Sequence, residues 1–339
     1  MGSKPLTLEK CNMHLILQLM IMTNSKIGLG TAAIGRPLYI NIKKELAEKD
    51  FSMEAFQKKG NTLLESAYDQ GVRYFDTAPG YGMAEQLLID WVKGKEDSSI
   101  EVATKWGYTY VANFDPKATQ HEIKEHSLGK LNEQWESSKV LLPKLNSYQI
   151  HSATLETGVL ENEQVLHRLA ALKNEHNLII GLTTTGDNQL EVLKKALDIE
   201  VDGKELFTLF QVTYNIFDQS LASLASTISE QNKRLVIKEA MANGRLFPNH
   251  KYPHYTTTYE RLSQLAKKYN TGIDAIALRF CIDSIPIYKV LSGAAFDQHL
   301  VDNLKAHNFS LEAKDIAVLK EAAVDPKPYW NERKKLGWN

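Results

Sequence analysis

Eight short apolar runs alternate with longer helical patterns along this chain of 339 residues. Apolar runs of this length, bounded by turn signals, are typical of buried strands, and a helix between successive strands favours parallel pairing. Eight such units predict an α/β fold in which one closed (β/α)8 TIM barrel forms a single domain. The predicted strands span residues 26–30, 72–76, 101–105, 147–151, 178–182, 207–213, 234–238 and 287–291.

An open, doubly wound sheet is the competing arrangement, and it expects a G-x-G-x-x-G turn after an early strand. The chain offers Gly28-Leu29-Gly30 followed by Thr31-Ala32-Ala33, in which the third glycine is missing. The closed barrel is therefore favoured. Its predicted helices span residues 53–70, 83–93, 119–142, 162–175, 189–197, 220–232, 258–269, 273–282 and 297–305.

Segments on either side of the barrel complete the predicted domain plan. The barrel is expected over residues 26–310, after a cap segment over 1–25 and before a C-terminal helix and tail over 311–339. The apolar run at 13–22 resembles a signal-peptide core, but no small-residue cleavage site follows it, so an N-terminal strand or hairpin is favoured over a targeting signal. The tail from residue 325 is expected to be extended and to pack its aromatic side chains over the barrel mouth or a partner.

Charge and cysteine usage narrow the function. A formal net charge of -1 gives no electrostatic basis for binding nucleic acid or an anionic membrane surface. Cys11 and Cys281 fit neither a disulfide nor a metal-site spacing, which suits the reducing cytoplasm. We therefore expect a cytoplasmic protein without a nucleic-acid, membrane or metal partner. Histidines without ligand spacing are expected on the surface; they are His121, His126, His176, His250, His254 and His307.

Three successive predicted strands end in an ionisable residue. Asp76 ends the second strand, Lys105 the third and His151 the fourth, and Tyr81 lies in the loop that follows Asp76. The carboxyl ends of barrel strands share one rim, where barrel enzymes carry out their chemistry. Taken singly, each residue has an ordinary explanation as a turn cap, a loop aromatic, a solvated lysine or a core histidine. Taken together, the four favour a catalytic site.

These residue types suit the delivery of a proton to an oxygen atom. A tyrosine has an ordinary pKa of about 10, and a nearby ammonium lowers that pKa because it favours the phenolate. A carboxylate paired with the lysine keeps the lysine charged, so Asp76, Lys105 and Tyr81 would form a relay. A neutral His151 can donate a hydrogen bond to a substrate carbonyl oxygen. A reduced nicotinamide is the natural donor of the electron pair.

The motifs around these residues resemble those of the aldo/keto reductase family. They are G-L-G-T at 28–31, F-D-T-A-P-G-Y-G at 75–82, A-T-K-W at 103–106, Y-Q-I-H-S at 148–152, F-Q-V-T-Y-N at 210–215 and S-G-A-A at 292–295. The resemblance implies that the chain reduces an aldehyde or ketone with NAD(P)H, or oxidises a sugar or alcohol. It implies that Asp76, Tyr81, Lys105 and His151 form the catalytic tetrad, with hydride leaving nicotinamide C4. Tyr81 would be the general acid in reduction and the base in oxidation.

The resemblance also implies which residues contact the dinucleotide. Gln211 matches the glutamine that holds the nicotinamide amide, Asp302 and Asn303 match the pair that reads adenine, and the Asn243-Gly244 backbone would wrap the pyrophosphate. The positions that carry over directly are Gly30, Thr31, Gln211, Gly244, Gly293, Ala294, Asp302 and Asn303.

Four further cofactor positions depart from the family pattern. Thr183 and Thr184 stand where the family usually has Ser-Asn. Lys238 stands where an aromatic residue often stacks on the nicotinamide, and we expect it to form a rim ion pair with Glu239. His299 stands at the basic residue for the adenosine 2′-phosphate, and a histidine is only partly charged at pH 7. NADPH or NADP is the expected cofactor, with NAD or dual use left open.

Two other functions stay open on the sequence. Thr184 and Lys238 would also suit a nucleotide-binding barrel that acts as a sensor or regulatory subunit with little turnover. Alternatively, Lys105 would form a Schiff base in a lyase or isomerase, which requires that substrate can reach it and that it is not buried against Asp76. The sequence names neither the carbonyl or sugar substrate nor the oligomeric state, since specificity in such barrels lies in the loops.

Overall fold

Apolar side chains on both faces of the predicted strands favour a parallel sheet covered by helices. The structure is a computed structural model that describes residues 25–38, 52–115 and 117–338. The strands in these ranges are β1 Ile27–Gly30, β2 Tyr74–Asp76, β3 Glu101–Trp106, β4 Tyr108–Tyr110, β5 Glu122–Lys124, β6 Leu145–Ala153, β7 Ile179–Thr184, β8 Glu200–Val201, β9 Lys204–Glu205, β10 Leu209–Thr213, β11 Arg234–Lys238 and β12 Lys289–Ser292.

Eight of these strands close into a barrel in the order β1-β12-β11-β10-β7-β6-β3-β2. Every neighbouring pair in this barrel is parallel, and each of the eight predicted strands overlaps one of them. The predicted (β/α)8 TIM barrel is therefore confirmed. The cap predicted over residues 1–25 lies almost entirely outside the described residues.

Helices cover the outside of the barrel and follow its end. They are α1 Ala32–Gly35, α2 Met53–Asp69, α3 Ala84–Val92, α4 Leu128–Ser138, α5 Glu163–His176, α6 Gln189–Leu197, α7 Ala222–Glu230, α8 Thr256–Lys268, α9 Ile273–Ser284, α10 Asp297–Leu304, α11 Ala313–Lys320 and α12 Pro326–Lys334. Short single-turn 3-10 helices also occur, including Pro79–Tyr81 on the rim that follows β2.

The helix predicted over residues 119–142 is wrong in its first part. β5 instead pairs antiparallel with β4, so that a hairpin rises over the rim directly after β3. The helix α4 begins only after Ser127, whose hydroxyl accepts the Lys130 backbone N–H at 3.1 Å. A side chain that caps a helix fixes where it starts, and here it starts beyond the hairpin.

The extended tail predicted from residue 325 is also wrong, because Pro326–Lys334 is helical. Pro326 stands in the first turn, where its missing N–H costs no helical hydrogen bond. Tyr329 and Trp330 are buried. Asn215 donates to the Tyr329 hydroxyl at 3.0 Å, and the Trp330 indole donates to Asp218 at 3.1 Å. The helix therefore packs on the loop that follows β10.

The barrel interior beneath the rim is largely apolar, with buried polar side chains at Ser147 and Gln149. One layer of side chains inside the barrel is apolar and consists of Tyr74, Ala103, Leu209, Val236 and Leu291. Asp76 follows Tyr74 by two residues on β2, and Lys105 follows Ala103 by two residues on β3. Alternate residues of a strand face the same side. The apolar layer therefore lies directly below the ionisable rim.

Candidate active site

A buried ion pair lies at the centre of the rim. The Lys105 amine donates to Asp76 Oδ2 at 2.6 Å and to the Thr77 carbonyl at 2.9 Å. The Lys105 side chain is 0% exposed and that of Asp76 is 3% exposed. Burial lowers the pKa of Lys105, and the Asp76 carboxylate opposes that effect. The pair leaves the lysine fixed in position, since it cannot leave its partner without stranding a buried charge.

Tyr81 reaches this pair from the turn that follows β2. Its ring centroid lies 4.8 Å from the Lys105 nitrogen, and its hydroxyl lies 3.4 Å from His151 Nε2. The turn itself is the 3-10 helix Pro79–Tyr81, in which Gly80 is buried. The structure therefore brings all four residues predicted as a tetrad into one cluster, with the tyrosine hydroxyl facing the histidine.

His151 is neutral in this environment. The pKa of His151 lies well below its ordinary value, first because the ring is buried and then because Lys105, Arg36 and Lys238 repel an added proton. Nδ1 of His151 is buried without a hydrogen-bond partner among the described residues. A neutral imidazole next to the Tyr81 hydroxyl can donate or accept one hydrogen bond on that side.

Gln211 joins the cluster in a way that the sequence did not suggest. Its side-chain nitrogen donates to Asp76 Oδ1 at 2.7 Å, so each oxygen of the Asp76 carboxylate has a donor. No described residue donates to Gln211 Oε1. That oxygen is therefore available for an amide N–H, as the predicted nicotinamide contact requires.

The predicted cofactor residues around the first and fifth barrel strands are already engaged with the protein. The Thr31 hydroxyl donates to the Asp76 carbonyl at 3.0 Å, next to the half-buried Gly30. Thr183 Oγ1 accepts from the Ser152 backbone at 2.7 Å. The Thr184 hydroxyl donates to Gln189 of α6 at 3.3 Å. The structure therefore does not bring the Thr184 hydroxyl to the other site residues.

The residues after the seventh barrel strand differ from the predicted arrangement. Lys238 donates to the Thr213 hydroxyl at 3.1 Å, whereas Glu239 pairs with Arg333 of α12 at 2.8 Å. The rim ion pair predicted between Lys238 and Glu239 is therefore wrong, because the C-terminal helix supplies a closer cation. The Gly244 backbone N–H donates to the Met241 carbonyl, so it closes its own turn and does not face outward to a pyrophosphate.

The residues after the eighth barrel strand form an exposed edge. Gly293 is exposed, and a side chain there would meet nothing within 4 Å. Ala294 behind it is buried. The ring of His299 lies 3.7 Å from that of Phe296. This edge leaves room for a nucleotide close to the backbone, as the predicted Gly293 and Ala294 contacts require.

The predicted adenine-reading pair is held by protein contacts. Asp302 accepts from Lys305 at 2.7 Å, and that hydrogen bond is the first cause of the lowered pKa of Asp302. Asn303 is buried next to the Ser292 hydroxyl. With its amide oriented to satisfy its neighbours, Asn303 donates to Asp274 Oδ2 at 3.0 Å. Asp302 therefore lies at the surface of the edge, and Asn303 lies behind it.

Two residues outside the predicted tetrad lie next to His151. The ring of Tyr108, on the hairpin, lies 4.7 Å from that of His151. His126 faces the His151 carbonyl oxygen from 2.9 Å, and burial lowers the pKa of His126 to about 4. The predicted surface position is wrong for His126 and also for His121, which is buried. The hairpin carries both histidines inward, and no sequence pattern marked it.

The described ranges contain neither a cluster of metal-ligating side chains nor a membrane-spanning helix. Among residues 25–38, 52–115 and 117–338, no group of three His, Cys, Asp or Glu side chains is placed to hold a metal ion. None of the helices in this part of the chain is long and apolar enough to cross a membrane.

A family model and several known proteins match the sequence of this chain. A model of the aldo/keto reductase family matches residues 26–324. The NADH-specific methylglyoxal reductase of Escherichia coli strain K12 is 21% identical over 334 residues, which cover 89% of this chain and 95% of that protein. Pyridoxal 4-dehydrogenase of Microbacterium luteolum is 36% identical over 88 residues, which cover 25% of this chain and only 21% of that protein.

Solved structures of similar fold are also available. The aldo-keto reductase AKR11C1 from Bacillus halodurans, in its holo form, superposes with a TM-score of 0.65 at 20% identity, and the match covers 88% of this chain and 93% of that chain. At this identity the likeness shows the fold alone. The family model, by contrast, spans most of the chain. The chain therefore belongs to the aldo/keto reductase family and is an oxidoreductase that acts on carbonyl or CH–OH groups.

Proposed function

We propose that this protein is a carbonyl reductase in which Tyr81 delivers a proton to the substrate oxygen, and that the same site oxidises an alcohol in reverse. When it is bound, a reduced nicotinamide dinucleotide supplies the hydride, which adds to the carbonyl carbon. The proton from Tyr81 and the hydride together convert the carbonyl to an alcohol. The observation that carries the proposal is the cluster of Tyr81, Lys105, Asp76 and His151 on one rim.

Each member of the cluster has a separate task. Lys105 favours the tyrosinate that remains after proton transfer, because its nitrogen lies 4.8 Å from the Tyr81 ring. Asp76 keeps Lys105 charged and oriented at 2.6 Å. His151 is neutral, so it orients the substrate oxygen through a hydrogen bond and does not compete for the proton. The apolar layer below the cluster strengthens these interactions, since charges attract more strongly in surroundings of low dielectric constant.

The residues at the rim fit a nicotinamide dinucleotide. Gln211 presents an acceptor for the nicotinamide amide, and Lys238 and Thr183 lie on the same rim. Gly293 provides open space for the backbone to approach the nucleotide. Gly30 gives similar access, since a side chain there would make only ordinary contacts. This donor and acceptor set supports Gly30, Gln211 and Gly293 among the cofactor residues expected from the sequence, whereas the Thr184 hydroxyl, the Gly244 N–H and the Asn303 amide are engaged with the protein.

The choice of nucleotide depends on the edge around His299. The resemblance favours NADPH. However, two acidic residues, Asp297 and Asp302, lie on the same helix α10 as His299. Carboxylates repel a 2′-phosphate, and Lys305 is already paired with Asp302. The Escherichia coli relative is NADH-specific by name. We therefore propose that both dinucleotides are accepted, with a small preference between them.

The two alternative functions receive no support. A Schiff base on Lys105 needs an accessible amine, and this amine is fully buried against Asp76. The comparisons give no support to a regulatory subunit without turnover.

A small carbonyl compound or sugar remains the proposed substrate, and the cysteine usage still supports the cytoplasm as the location.

Replacement of the proposed acid tests the function. Tyr81→Phe should reduce turnover at least a hundredfold, because it removes the proton donor. Binding of NADH and NADPH should stay within about threefold, since the ring is retained. The measurement follows nucleotide absorbance against a panel of aldehydes, ketones and aldoses, with each dinucleotide in turn.

A matched tyrosine variant provides the control. Tyr68→Phe removes a hydroxyl from α2 that donates to Asp97 at 3.1 Å, far from the rim, and it should turn over like the unchanged protein. Unchanged turnover in Tyr81→Phe would refute the proposed proton donor. Nucleotide binding without turnover of any panel member by the unchanged protein would favour the regulatory alternative instead.

A further inference from the structure

We propose that Arg36 is a positioning residue that holds Tyr81 in place for proton transfer and couples it to Trp338, near the end of the chain. The inference rests on the proposed function of Tyr81 and extends it to a residue outside the four rim groups. Arg36 follows α1 directly, on the loop that leaves the first barrel strand. It is 4% exposed, so its charge lies inside the protein.

The polar contacts of Arg36 connect the tyrosine turn to the hairpin. Its Nη1 donates to the carbonyl of Gly80, the residue before Tyr81, at 3.1 Å. The same nitrogen forms an ion pair with Glu122 of β5. A buried guanidinium bonded to both a backbone carbonyl and a carboxylate is held rigidly, because its planar donors have fixed directions. Arg36 therefore fixes the backbone that carries Tyr81 relative to the hairpin that covers it.

The aromatic contacts of Arg36 reach the proton donor and the chain end. The guanidinium carbon lies 5.4 Å from the centroid of the Tyr81 ring and 4.5 Å from that of Trp338. Trp338 stacks in turn on His121 of the hairpin, with ring centroids 4.2 Å apart and planes 14° apart. Cations within about 6 Å of an aromatic centroid are attracted to it. The contacts therefore run from His121 through Trp338 and Arg36 to Tyr81.

The backbone on the other side of Tyr81 is also held by the Arg36 loop. The Gly35 carbonyl accepts the Met83 backbone N–H at 2.8 Å. Tyr81 therefore lies between two positions that are held by the Arg36 loop. The Gly80 carbonyl accepts from Arg36, and the Met83 N–H donates to the Gly35 carbonyl. Of these two bonds only the one from Arg36 brings a charge, and that charge is the reason to expect an effect on chemistry as well as on stability.

Three titratable or charged groups of the described chain lie next to Tyr81: Lys105 and Arg36 lie near its ring, and His151 faces its hydroxyl. A fourth group, Tyr108, packs against Gly80 in the same turn. Lys105 is paired with Asp76 and Arg36 with Glu122, and the guanidinium stays protonated at every working pH. Arg36→Met removes this positive charge and leaves the Glu122 carboxylate unpaired, and both changes oppose the phenolate. A fixed positive charge at this distance favours the phenolate over the phenol, so Arg36 should lower the pH at which the tyrosine ionises.

The decisive experiment compares Arg36→Met and Arg36→Lys. Arg36→Met keeps the length of the stem and removes the charge. It should lower kcat about tenfold, leave KM for the nucleotide within about twofold, and move the alkaline limb of the reduction profile up by about one pH unit. The limb moves upward because reduction needs the protonated tyrosine, which then persists to higher pH. Arg36→Lys keeps a charge and should leave the limb within a few tenths of its original position.

A second readout does not depend on turnover. The ionisation of Tyr81 can be followed by ultraviolet difference titration of the protein against its Tyr81→Phe variant. The same titration in the Arg36→Met background should show the phenol ionising about one pH unit higher. If the unchanged protein has no activity, the proposed function fails, and this titration still decides the role of Arg36.

Two further variants complete the experiment: a matched control at Arg261 and a substitution of Trp338. Arg261→Met breaks an ion pair with Glu321 on the outer helices and should change neither kcat nor the pH limb. Trp338→Ala should lower kcat severalfold with a smaller shift of the limb, because Arg36 keeps its polar contacts.

An unmoved limb and an unmoved phenol titration in Arg36→Met would overturn the proposal. A fall in nucleotide affinity equal to the fall in kcat would also overturn it. If Arg36→Met does not fold, Arg36→Gln, which also removes the charge, takes its place in the same titration and decides in the same way.

Discussion

At the scale of single residues, the rim is built from polar groups that are buried and individually paired. Asp76 accepts from Lys105 with one oxygen and from Gln211 with the other. A buried carboxylate with a donor on each oxygen is held in one orientation. The paired carboxylate favours the charged form of Lys105 although the lysine side chain is fully buried, and a charged lysine is what the proposed chemistry needs.

A second buried carboxylate lies behind the same strand. Glu85 of α3 accepts from the hydroxyls of Thr104 and Ser138. Thr104 precedes Lys105 on β3 and faces outward, so Glu85 approaches the strand from the helix side. Burial raises the pKa of Glu85 to about 6, and the Thr104 hydrogen bond opposes that shift. The carboxyl group therefore binds a proton more tightly in the folded protein than in the unfolded chain.

This difference predicts a pH-dependent effect of Glu85→Gln on stability. The stabilisation from protonated Glu85 is complete below pH 4.5 and is lost as the pH rises through about 6. Glutamine has no such dependence and still offers an acceptor to both hydroxyls. Relative to the unchanged protein, the variant should gain about 2 kcal/mol in free energy of unfolding between about pH 4.5 and pH 7.5. Urea unfolding at both pH values measures the gain, and a constant difference would contradict it.

At the scale of elements, the turn that carries Tyr81 depends on close backbone contact. Gly82 has φ 66° and ψ -117°, a conformation that side chains other than glycine rarely adopt. A Cβ at Gly82 would lie 2.3 Å from the Gly35 carbonyl oxygen. The loop after β1 and the turn after β2 thus pack backbone against backbone, which fixes the direction in which the tyrosine leaves the turn.

Gly82→Ala should therefore be strongly destabilising. Both the strained φ and the backbone contact have to be relieved, at a cost of roughly 3 kcal/mol in free energy of unfolding. Turnover should fall more than nucleotide binding, because the displaced residue is Tyr81. Gly94→Ala is the matched control, since a side chain there meets nothing within 4 Å and should be tolerated. Equal stability of the two variants in thermal unfolding would contradict this account of the turn.

At the scale of the whole molecule, the C-terminal helix α12 is locked onto the loop that follows β11. Arg245, which is fully buried, donates to the Tyr329 carbonyl at 3.0 Å and to Glu332 at 3.2 Å. Glu332 also accepts from the Tyr255 hydroxyl at 2.7 Å. Arg333 reaches Glu239 from the same helix. The C-terminal helix is therefore fixed to the loop after β11 by buried polar contacts.

Removal of the Glu332 charge should loosen this helix. Glu332→Gln leaves the buried Arg245 guanidinium without its counter-ion, and an uncompensated buried charge costs about 3 kcal/mol. Glu321→Gln, which breaks the more exposed pair with Arg261, should cost less than about 1 kcal/mol. Chemical unfolding of the two variants measures the contrast. A double variant in which Arg245 is also replaced by Met should recover part of the loss, and the absence of any recovery would argue against a charge effect.

The barrel and the proposed catalytic cluster could be predicted from the sequence. Eight apolar runs separated by helical patterns predict a parallel sheet covered by helices, and the missing third glycine after Gly28-Leu29-Gly30 favoured the closed barrel over an open sheet. Since parallel strands end on one rim, the positions of Asp76, Lys105 and His151 at strand ends already implied that they meet. The local pattern therefore contained the information that brings together the residues of the proposed proton-transfer site.

Other features depend on contacts between distant parts of the chain, and these only the tertiary structure decided. The hairpin that carries His126 and His121 inward forms because β4 pairs with β5 across a loop. The sequence there has no helical or strand periodicity strong enough to predict this pairing. Glu239 pairs with Arg333 and not with its neighbour Lys238, since α12 docks next to it. Arg36 meets Tyr81 and Trp338 from opposite ends of the chain. Local propensity cannot encode such pairings, because their energy exists only once the barrel has brought the segments together.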